Sequence, residues 1–498
     1  MALSIGYDIG SSSIKCAVFD PDRGTIVARG SYPPEEMEIS SPRPGWAEQD
    51  PETWWEFVRN VTKLTLAKGS VSPRSIGSIG ISYQMHGLVI VGKDGTVLRP
   101  SIIWCDSRAV ETGRKAFERI GSKFCLEHLL NSPGNFTASK LRWVKENEPD
   151  IYRKVFKAML PGDFIAFKLT GEISSTVSGM SEGIFWDFRK DTLSKDLLRY
   201  YEIDESLLPA LHPTFSVQGT VTSKIAQELG FSEGAVVAYR AGDQPNNAFS
   251  LNVLDPGEVA ATAGTSGVVY GVIDEIRYDK ASRVNQFAHV NHAHNRTRLG
   301  VLLCVNGTGI LNSWLRKNAG AGLSYNEMNE RAKTIPTGSD GLSILPFGNG
   351  AERVLENRNI GGRVIGLDFN RHTLGHLFRA AQEGIAFSLK YGVDVMNELG
   401  MNINVVRAGK SNMFLSPVFG KTFSTVTGAV IELYNTDGAE GAARGAAVGS
   451  GACSIEEVFR SLKAVETISP DPQDAGPCRS AYLRWLGHLN ATLGEVLT

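Results

Sequence analysis

Tyr7-Asp8-Ile9-Gly10-Ser11-Ser12-Ser13-Ile14-Lys15 lies near the start of the chain, and a shorter cousin, Ala263-Gly264-Thr265-Ser266-Gly267, recurs in the second half. Each is a Gly/Ser/Thr turn between two β-rich runs: Leu3 to Tyr7 and Ile14 to Phe19, then Glu258 to Ala263 and Val268 to Val272. Glycine lets backbone N–H groups approach an anion and the hydroxyls add donors, so such a turn can hold a phosphate. One Gly-Ser turn alone reads first as a hairpin connection. Two, one opening each half, point to paired phosphate-binding lobes around a nucleotide.

The 498 residues are too many for a single core, and two domains are expected. Lys and Arg number 51 against 53 Asp and Glu, a formal net charge of −2. That balance gives no basic surplus for nucleic acid or an anionic membrane. The opening residues read as a strand, so no signal peptide is expected. No run approaches the roughly 18 apolar residues of a membrane span. Cys16, Cys105, Cys125, Cys304, Cys453 and Cys478 form no Cys-x-x-Cys pair, which suits buried thiols in a reducing compartment. The cytoplasm is the expected location.

A helix is predicted over Pro51 to Ala67, where Trp54, Trp55, Phe57, Val58, Val61 and Leu64 recur at helical spacing. Ile76 to Ser82 reads as a buried strand, and helical segments dominate from about Pro100 to Pro213. Gly234 to Tyr239 is a strand leading to Ala241-Gly242-Asp243-Gln244, where a helix begins. The second half restarts the β pattern at Asp255-Pro256-Gly257, and Leu374 to Leu399 is a long amphipathic segment. Val405 to Ala408 runs into Gly409-Lys410-Ser411-Asn412, and the tail from Ile455 reads as two helices split by Ser469 to Pro477. Strands mixed with helices in two similar halves predict two α/β lobes with a cleft between them.

Several segments carry chemistry, each with a plainer alternative. Asp243 opens a helix, where Asp is a good N-cap; a carboxylate there can equally face the cleft and accept a proton from a substrate hydroxyl. Gln84-Met85-His86-Gly87 offers donors and acceptors suited to hydroxyls, or a structural histidine. In Trp104-Cys105-Asp106-Ser107-Arg108, the indole can wall a sugar site, while Asp106 and Arg108 can form an ion pair. Gly409 to Asn412 is either a strand-to-helix turn or a backbone rest for a nucleoside. His289, His292 and His294 lack a metal-ligand geometry.

Together these residues resemble the FGGY family of carbohydrate kinases, within the sugar kinase/actin/heat-shock ATPase superfamily, over essentially the whole chain. Asp8 to Ser13 is similar to the family's first phosphate motif, and Gly264-Thr265-Ser266-Gly267 to its second. Ala241-Gly242-Asp243-Gln244 is similar to the segment with the catalytic Asp. Leu345-Pro346-Phe347, Glu352-Arg353 and Gly362-x-Val364-x-Gly366-Leu367 with His376-Leu377 and Ala380-Ala381 largely fit the C-terminal signature. Gln84-Met85-His86-Gly87 looks like that of members acting on xylulose, whereas Gln244 is closer to those acting on glycerol. Ala408 stands where the family has glycine, and Gln382 where an apolar residue is usual.

The resemblance implies an α/β fold of two ribonuclease H-like lobes flanking a central cleft. Residues 1–247 would form the N-terminal, sugar-binding lobe and 248–498 the C-terminal, adenosine-binding lobe. It implies ATP-dependent phosphorylation of the terminal hydroxyl of a ketopentose, D-xylulose first, with ribulose, gluconate or glycerol as alternative acceptors and a non-enzymatic actin-like role as the rival from another class. Asp243 would be the base and Asp8 would organise Mg²⁺ through water. Gln84, Met85, His86, Trp104, Asp106, Asp243 and Gln244 would meet the sugar. Gly10, Ser11, Ser12, Ser13, Lys15, Gly264, Thr265, Ser266, Ala408, Gly409 and Asn412 would meet the nucleotide. The partners implied are ATP and a small sugar, without nucleic acid or membrane; self-association would take the form of a homodimer.

Overall fold

Each of the two turns closes a hairpin, and each hairpin begins a sheet. In the computed structural model, which describes residues 2–495, β1 (Leu3–Ile9) pairs antiparallel with β2 (Ile14–Asp20), placing Asp8 opposite Lys15. β3 (Thr25–Tyr32) continues antiparallel on β2. Helix α1 (Pro51–Lys68) then crosses to β4 (Ile76–Tyr83), parallel to β1. α1 starts where the sequence says it should: the Asp50 side chain accepts the Glu52 N–H, Pro51 fills the first position, and Trp54, Trp55, Val58 and Val61 are buried. A helical insertion follows, including α2 (Thr137–Asn147) and α3 (Val177–Glu182). β5 (Val236–Gly242) adds parallel to β4, giving the order β5-β4-β1-β2-β3.

Helix α4 (Asp243–Ser250) leads to the second sheet. Its strands are β6 (Val259–Ala263), β7 (Gly267–Ile273), β8 (Asn285–Ala288), β9 (Leu299–Val305), β10 (Val405–Gly409), β11 (Val430–Tyr434) and β12 (Ala464–Ile468). They lie in the order β8-β9-β7-β6-β10-β11-β12. Without the edge strands β8 and β12, the remaining order β9-β7-β6-β10-β11 repeats the first sheet, antiparallel meander and parallel pair included. Ligands of such sheets sit beyond the carboxyl ends of the parallel strands. There the first sheet places Asp8, Gln84 to Gly87 and Asp243.

Four helices complete the frame: α5 (Gly309–Asn318), α6 (Leu374–Glu398), α7 (Gly438–Gly449) and α8 (Ala475–Glu495). α7 follows β11 of the second sheet yet packs on the first. A methyl group added at Gly6 or Gly80 would collide with the backbone of Ala439 or Ala442. The expected 247/248 boundary falls inside α4, which meets α7 through the Asn246 amide donating to the Gly438 carbonyl at 2.8 Å.

Three local expectations are corrected. The tail holds one long helix; its first expected helix is a short 3₁₀ turn, Glu457–Phe459, followed by the edge strand β12, whose backbone finds partners on β11. Pro477 lies in the first turn of α8, where its missing N–H costs no hydrogen bond. Of the six free cysteines, Cys16, Cys125 and Cys478 are buried, but Cys105 is exposed and Cys304 and Cys453 are half-buried. Among the described residues no helix is long and apolar enough to cross a membrane.

Candidate active site

Asp8, next to last in β1, has its carboxylate accepting the Ser82 hydroxyl at 2.8 Å and packed on Gly438 at the start of α7. Burial pushes its pKa up; the Lys15 charge and the Ser82 bond oppose this, and Asp437 adds to it. Asp243 is the first helical residue of α4, not its cap: Gly242 holds the cap position and no side chain caps the helix. The capping alternative is therefore corrected, and the carboxylate is left for other work. Burial, then the charge of Asp8, raises the Asp243 pKa to about 7, against hydrogen bonds from Gln244. Two carboxyl groups thus share one field at the ends of β1 and β5.

The Gln84-Met85-His86-Gly87 loop lies against this pair. A Cβ at Gly242 would stand 2.6 Å from Met85 Cγ and 3.2 Å from Glu182 Oε2, so the turn before Asp243 accommodates only glycine. His86 has a φ of 62°, in the left-handed region. Its N–H points at Glu182 Oε2 (3.3 Å), its ring Nδ1 donates to the Glu182 carbonyl (3.0 Å), and its own carbonyl accepts from Lys140 Nζ (2.8 Å). Burial, and after it the Lys140 charge, lowers the His86 pKa to about 3, so the ring is neutral. Because Nδ1 faces a carbonyl it must carry the proton, and Nε2 keeps its lone pair. The ring packs edge-on to Phe136 (4.7 Å between centroids) and tilted on Phe287 of β8 (5.4 Å), so both lobes wall this side.

Gln84 is buried and donates to Gln49 Oε1 at 3.3 Å; Gln49 in turn donates to the Ser11 carbonyl at 2.7 Å. The half-exposed Trp104 donates its indole N–H to Ser11 Oγ at 3.2 Å. Asp106 sits differently from expectation as a sugar contact. It is fully buried, with both oxygens engaged by the Arg108 guanidinium and the Arg108 and Ala47 N–H groups. The ion-pair alternative describes its contacts, and it braces the Trp104 loop.

In the first turn the Gly10 N–H closes the hairpin on the Ser13 carbonyl at 3.2 Å, leaving the Ser11 and Ser12 hydroxyls at its tip, with Ser12 exposed. In the second, the Gly264 and Thr265 carbonyls accept the Gly309 and Ile310 N–H groups at the start of α5. A cavity of about 440 Å³ opens beside this turn, lined by Gly264, Thr265, Ile310, Tyr325, Asn412 and Met413 among others. Asn412 has a φ of 52° and faces Gly264. Ala408 is buried within β10 and, like Gly409, is not part of the lining. Ser266 hydrogen-bonds Cys304 on β9, and Glu352 accepts the Asn306 N–H at 3.0 Å. His289 is committed to Tyr270 and the Val253 carbonyl, and the described residues hold no cluster of three metal-ligating side chains.

Glu182 and Lys140 complete the site without having been singled out from sequence. One signal for Lys140 exists: Thr137, Lys140, Leu141 and Val144 share the spacing of a buried helix stripe, and all four are buried. Glu182 has no such local mark.

Two repeated sheets, a carboxylate pair at strand ends of the first, hydroxyl-bearing turns from both halves and a cavity beside the second turn fit a two-lobed phosphotransferase. The model of the FGGY carbohydrate kinase N-terminal domain matches residues 3–250, and that of the C-terminal domain residues 259–451. The chain belongs to the FGGY family of carbohydrate kinases, with their ribonuclease H-like ATPase fold. It is 29% identical over 460 residues to the xylulose kinase of Bacillus subtilis (strain 168), covering 91% of this chain and 89% of that one. The crystal structure of xylulose kinase from Rhodospirillum rubrum is 28% identical with a TM-score of 0.88, over 99% of both chains. The gluconate kinase of Lactobacillus acidophilus, 21% identical with a TM-score of 0.90 over 99% and 98%, shares the fold.

Proposed function

We propose that this ATP-dependent sugar kinase phosphorylates the terminal hydroxyl of D-xylulose, with Asp243 as general base. The observation that carries the reading is the contact of the Met85-His86 loop with the Gly242–Asp243 turn, which brings hydroxyl-reading groups beside a basic carboxylate. His86 Nε2, an acceptor, takes a sugar O–H, while Met85 supplies apolar contact and Trp104 walls the opening. Asp243, unprotonated near and above neutral pH, accepts the hydroxyl proton as the oxygen attacks the γ-phosphorus. Little else is demanded of the protein than positioning and charge stabilisation. The Ser11 to Ser13 and Gly264 to Ser266 turns hold the phosphates, and Asn412 borders the cavity that takes the adenosine.

Asp8 and Asp243 offer hard carboxylate oxygens without a full protein cage, which fits a Mg²⁺ ion that keeps waters and phosphate oxygens as ligands. When bound, that ion neutralises charge on the phosphates. We assign residues 1–247 chiefly to the sugar side and 248–498 to the adenosine side, the cytoplasm as location and a homodimer as assembly, which light scattering checks. A coupled ADP-release assay over D-xylulose, ribulose, gluconate and glycerol tests the substrate. D-xylulose is expected to give the highest kcat/KM; a clear preference for gluconate or glycerol overturns the choice, and no sugar-dependent release overturns the catalytic reading.

A further inference from the structure

Two loops carry the sugar-facing groups of the proposed site, 84–87 with Met85 and His86, and 103–106 with Trp104. One side chain joins them. Lys140, on α2, is fully buried, and its Nζ donates to the His86 carbonyl at 2.8 Å and to the Ile103 carbonyl at 2.9 Å. It forms no ion pair among the described residues. The carboxylate of the second loop itself, Asp106, hydrogen-bonds Arg108 and the Ala47 N–H, not Lys140. Burial lowers the Lys140 pKa to about 7, with the Asp106 charge foremost among those acting against this, so an amine here is costly unless its hydrogen bonds compensate. A hydrocarbon side chain would fill the same helix stripe without that cost, so packing alone gives no reason for a lysine here.

The backbone it holds does. His86 occupies the left-handed region, which strains a non-glycine residue and persists only where its surroundings enforce it. The enforcement comes from both sides of the residue: Glu182 receives its N–H and ring Nδ1–H, and Lys140 Nζ donates to its carbonyl. The same amine fixes Ile103, one residue before Trp104. The Thr137 hydroxyl, one turn earlier on α2, reaches the Gly87 carbonyl at 3.4 Å, so the helix grips the loop at two successive residues.

We propose that Lys140 is a positioning residue for the sugar: it locks the Met85-His86 loop and the Trp104 loop in register, and thereby sets acceptor affinity without touching the nucleotide. This rests on the assignment of those loops to the sugar. The test compares wild type with Lys140→Met and Lys140→Gln in steady-state kinetics, using whichever acceptor the wild-type panel ranks first. A wrong choice of D-xylulose then shows in the wild-type panel, and a wrong role for Lys140 in the variant-to-wild-type ratio. Lys140→Met is expected to raise the sugar KM at least tenfold while the ATP KM changes less than twofold. Lys140→Gln, which keeps an N–H donor, is expected to fall between. Adding a short alkylamine to Lys140→Gly is expected to recover part of the sugar affinity. Unchanged sugar KM in a folded variant, or equal losses for sugar and ATP without amine rescue, would overturn the proposal. Failure of all three variants to fold would also overturn it, because Lys140 would then belong to the fold and not to the sugar loops.

Discussion

Asp243 stands in two fields that pull its proton the same way, burial and the neighbouring charge of Asp8. Its folded pKa of about 7 lies above the ordinary carboxylate value, so the folded chain holds the proton over a range where the unfolded chain releases it. The stability linked to this group is therefore present below about pH 4 and is lost as pH rises through about 7. In Asp243→Asn that cost disappears. The variant is expected to match or exceed wild type in melting temperature at pH 8, with the gap narrowing as pH falls below about 7 and closing near pH 4, as calorimetry across pH would show. Turnover moves the other way: loss of a general base lowers kcat by roughly 10²- to 10⁴-fold. A folded variant with near-normal turnover would refute the assignment of the base. In wild type, kcat/KM for the sugar is expected to fall on the acid side of about pH 7, and a flat profile from pH 5.5 to 8 would contradict it. His86→Ala should weaken apparent sugar affinity and spare ATP, since an unpaired buried hydroxyl costs about 1–3 kcal/mol. Much at this scale was legible, because Asp8, Met85, His86 and Asp243 follow strands readable from their apolar runs. Lys140 and Glu182 were not, because their roles come from contacts 54 and 96 residues away along the chain.

At the scale of elements, the hairpins and parallel strands appeared where their apolar runs predicted, but the placement of α7 did not. Its sequence, Gly438 to Gly449, is dominated by Gly and Ala, which sets a close approach without naming the surface approached. The answer lies in the facing glycines, Gly6 on β1 and Gly80 on β4, whose missing side chains let the Ala439 and Ala442 backbone lie on the sheet. Neither set of small residues is informative alone; complementarity appears only once the sheet order is known. The tail failed for a related reason: whether Ala464 to Ile468 becomes a strand depends on the free edge of β11. Gly80→Ala tests the α7 packing. The added methyl meets the Ala442 carbonyl, a backbone group that yields only if the helix moves, and overpacking of this kind costs about 1–3 kcal/mol. A lowered denaturant midpoint with an unchanged m-value is expected. No loss of stability would mean that α7 adjusts freely.

For the molecule as a whole, the site is divided between sheets. In the proposed site, Ser11 to Ser13 and Met85-His86 come from the first half and Gly264 to Ser266 and Asn412 from the second, so on that reading neither lobe alone would complete the triphosphate and sugar contacts. The two sheets meet through paired helices, α4 and α7, joined by the Asn246 to Gly438 hydrogen bond, and the ion pair of Arg29 on β3 with Glu440 on α7 fastens the latter to the first sheet. A helix that starts at the end of β11 and packs on β1 and β4 is a natural pivot, because rotation about it moves one sheet over the other while its own packing persists. Phe287 of the second sheet already reaches the His86 ring, which marks the seam that closure would tighten. Aligning a sugar hydroxyl with the γ-phosphate requires approach to within about 3–3.5 Å, and a ligand shifts the lobes only by binding the closed arrangement better. Sugar and nucleotide together are therefore expected to favour a closed form, with water excluded and sugar-independent ATP hydrolysis kept low. Small-angle scattering with and without D-xylulose plus a non-hydrolysable ATP analogue should show a smaller radius of gyration only with both ligands. Spin labels placed one on each lobe should report a shorter separation under the same condition. If both measures stay constant, the lobes do not move and the phosphates must reach the sugar across a fixed cleft.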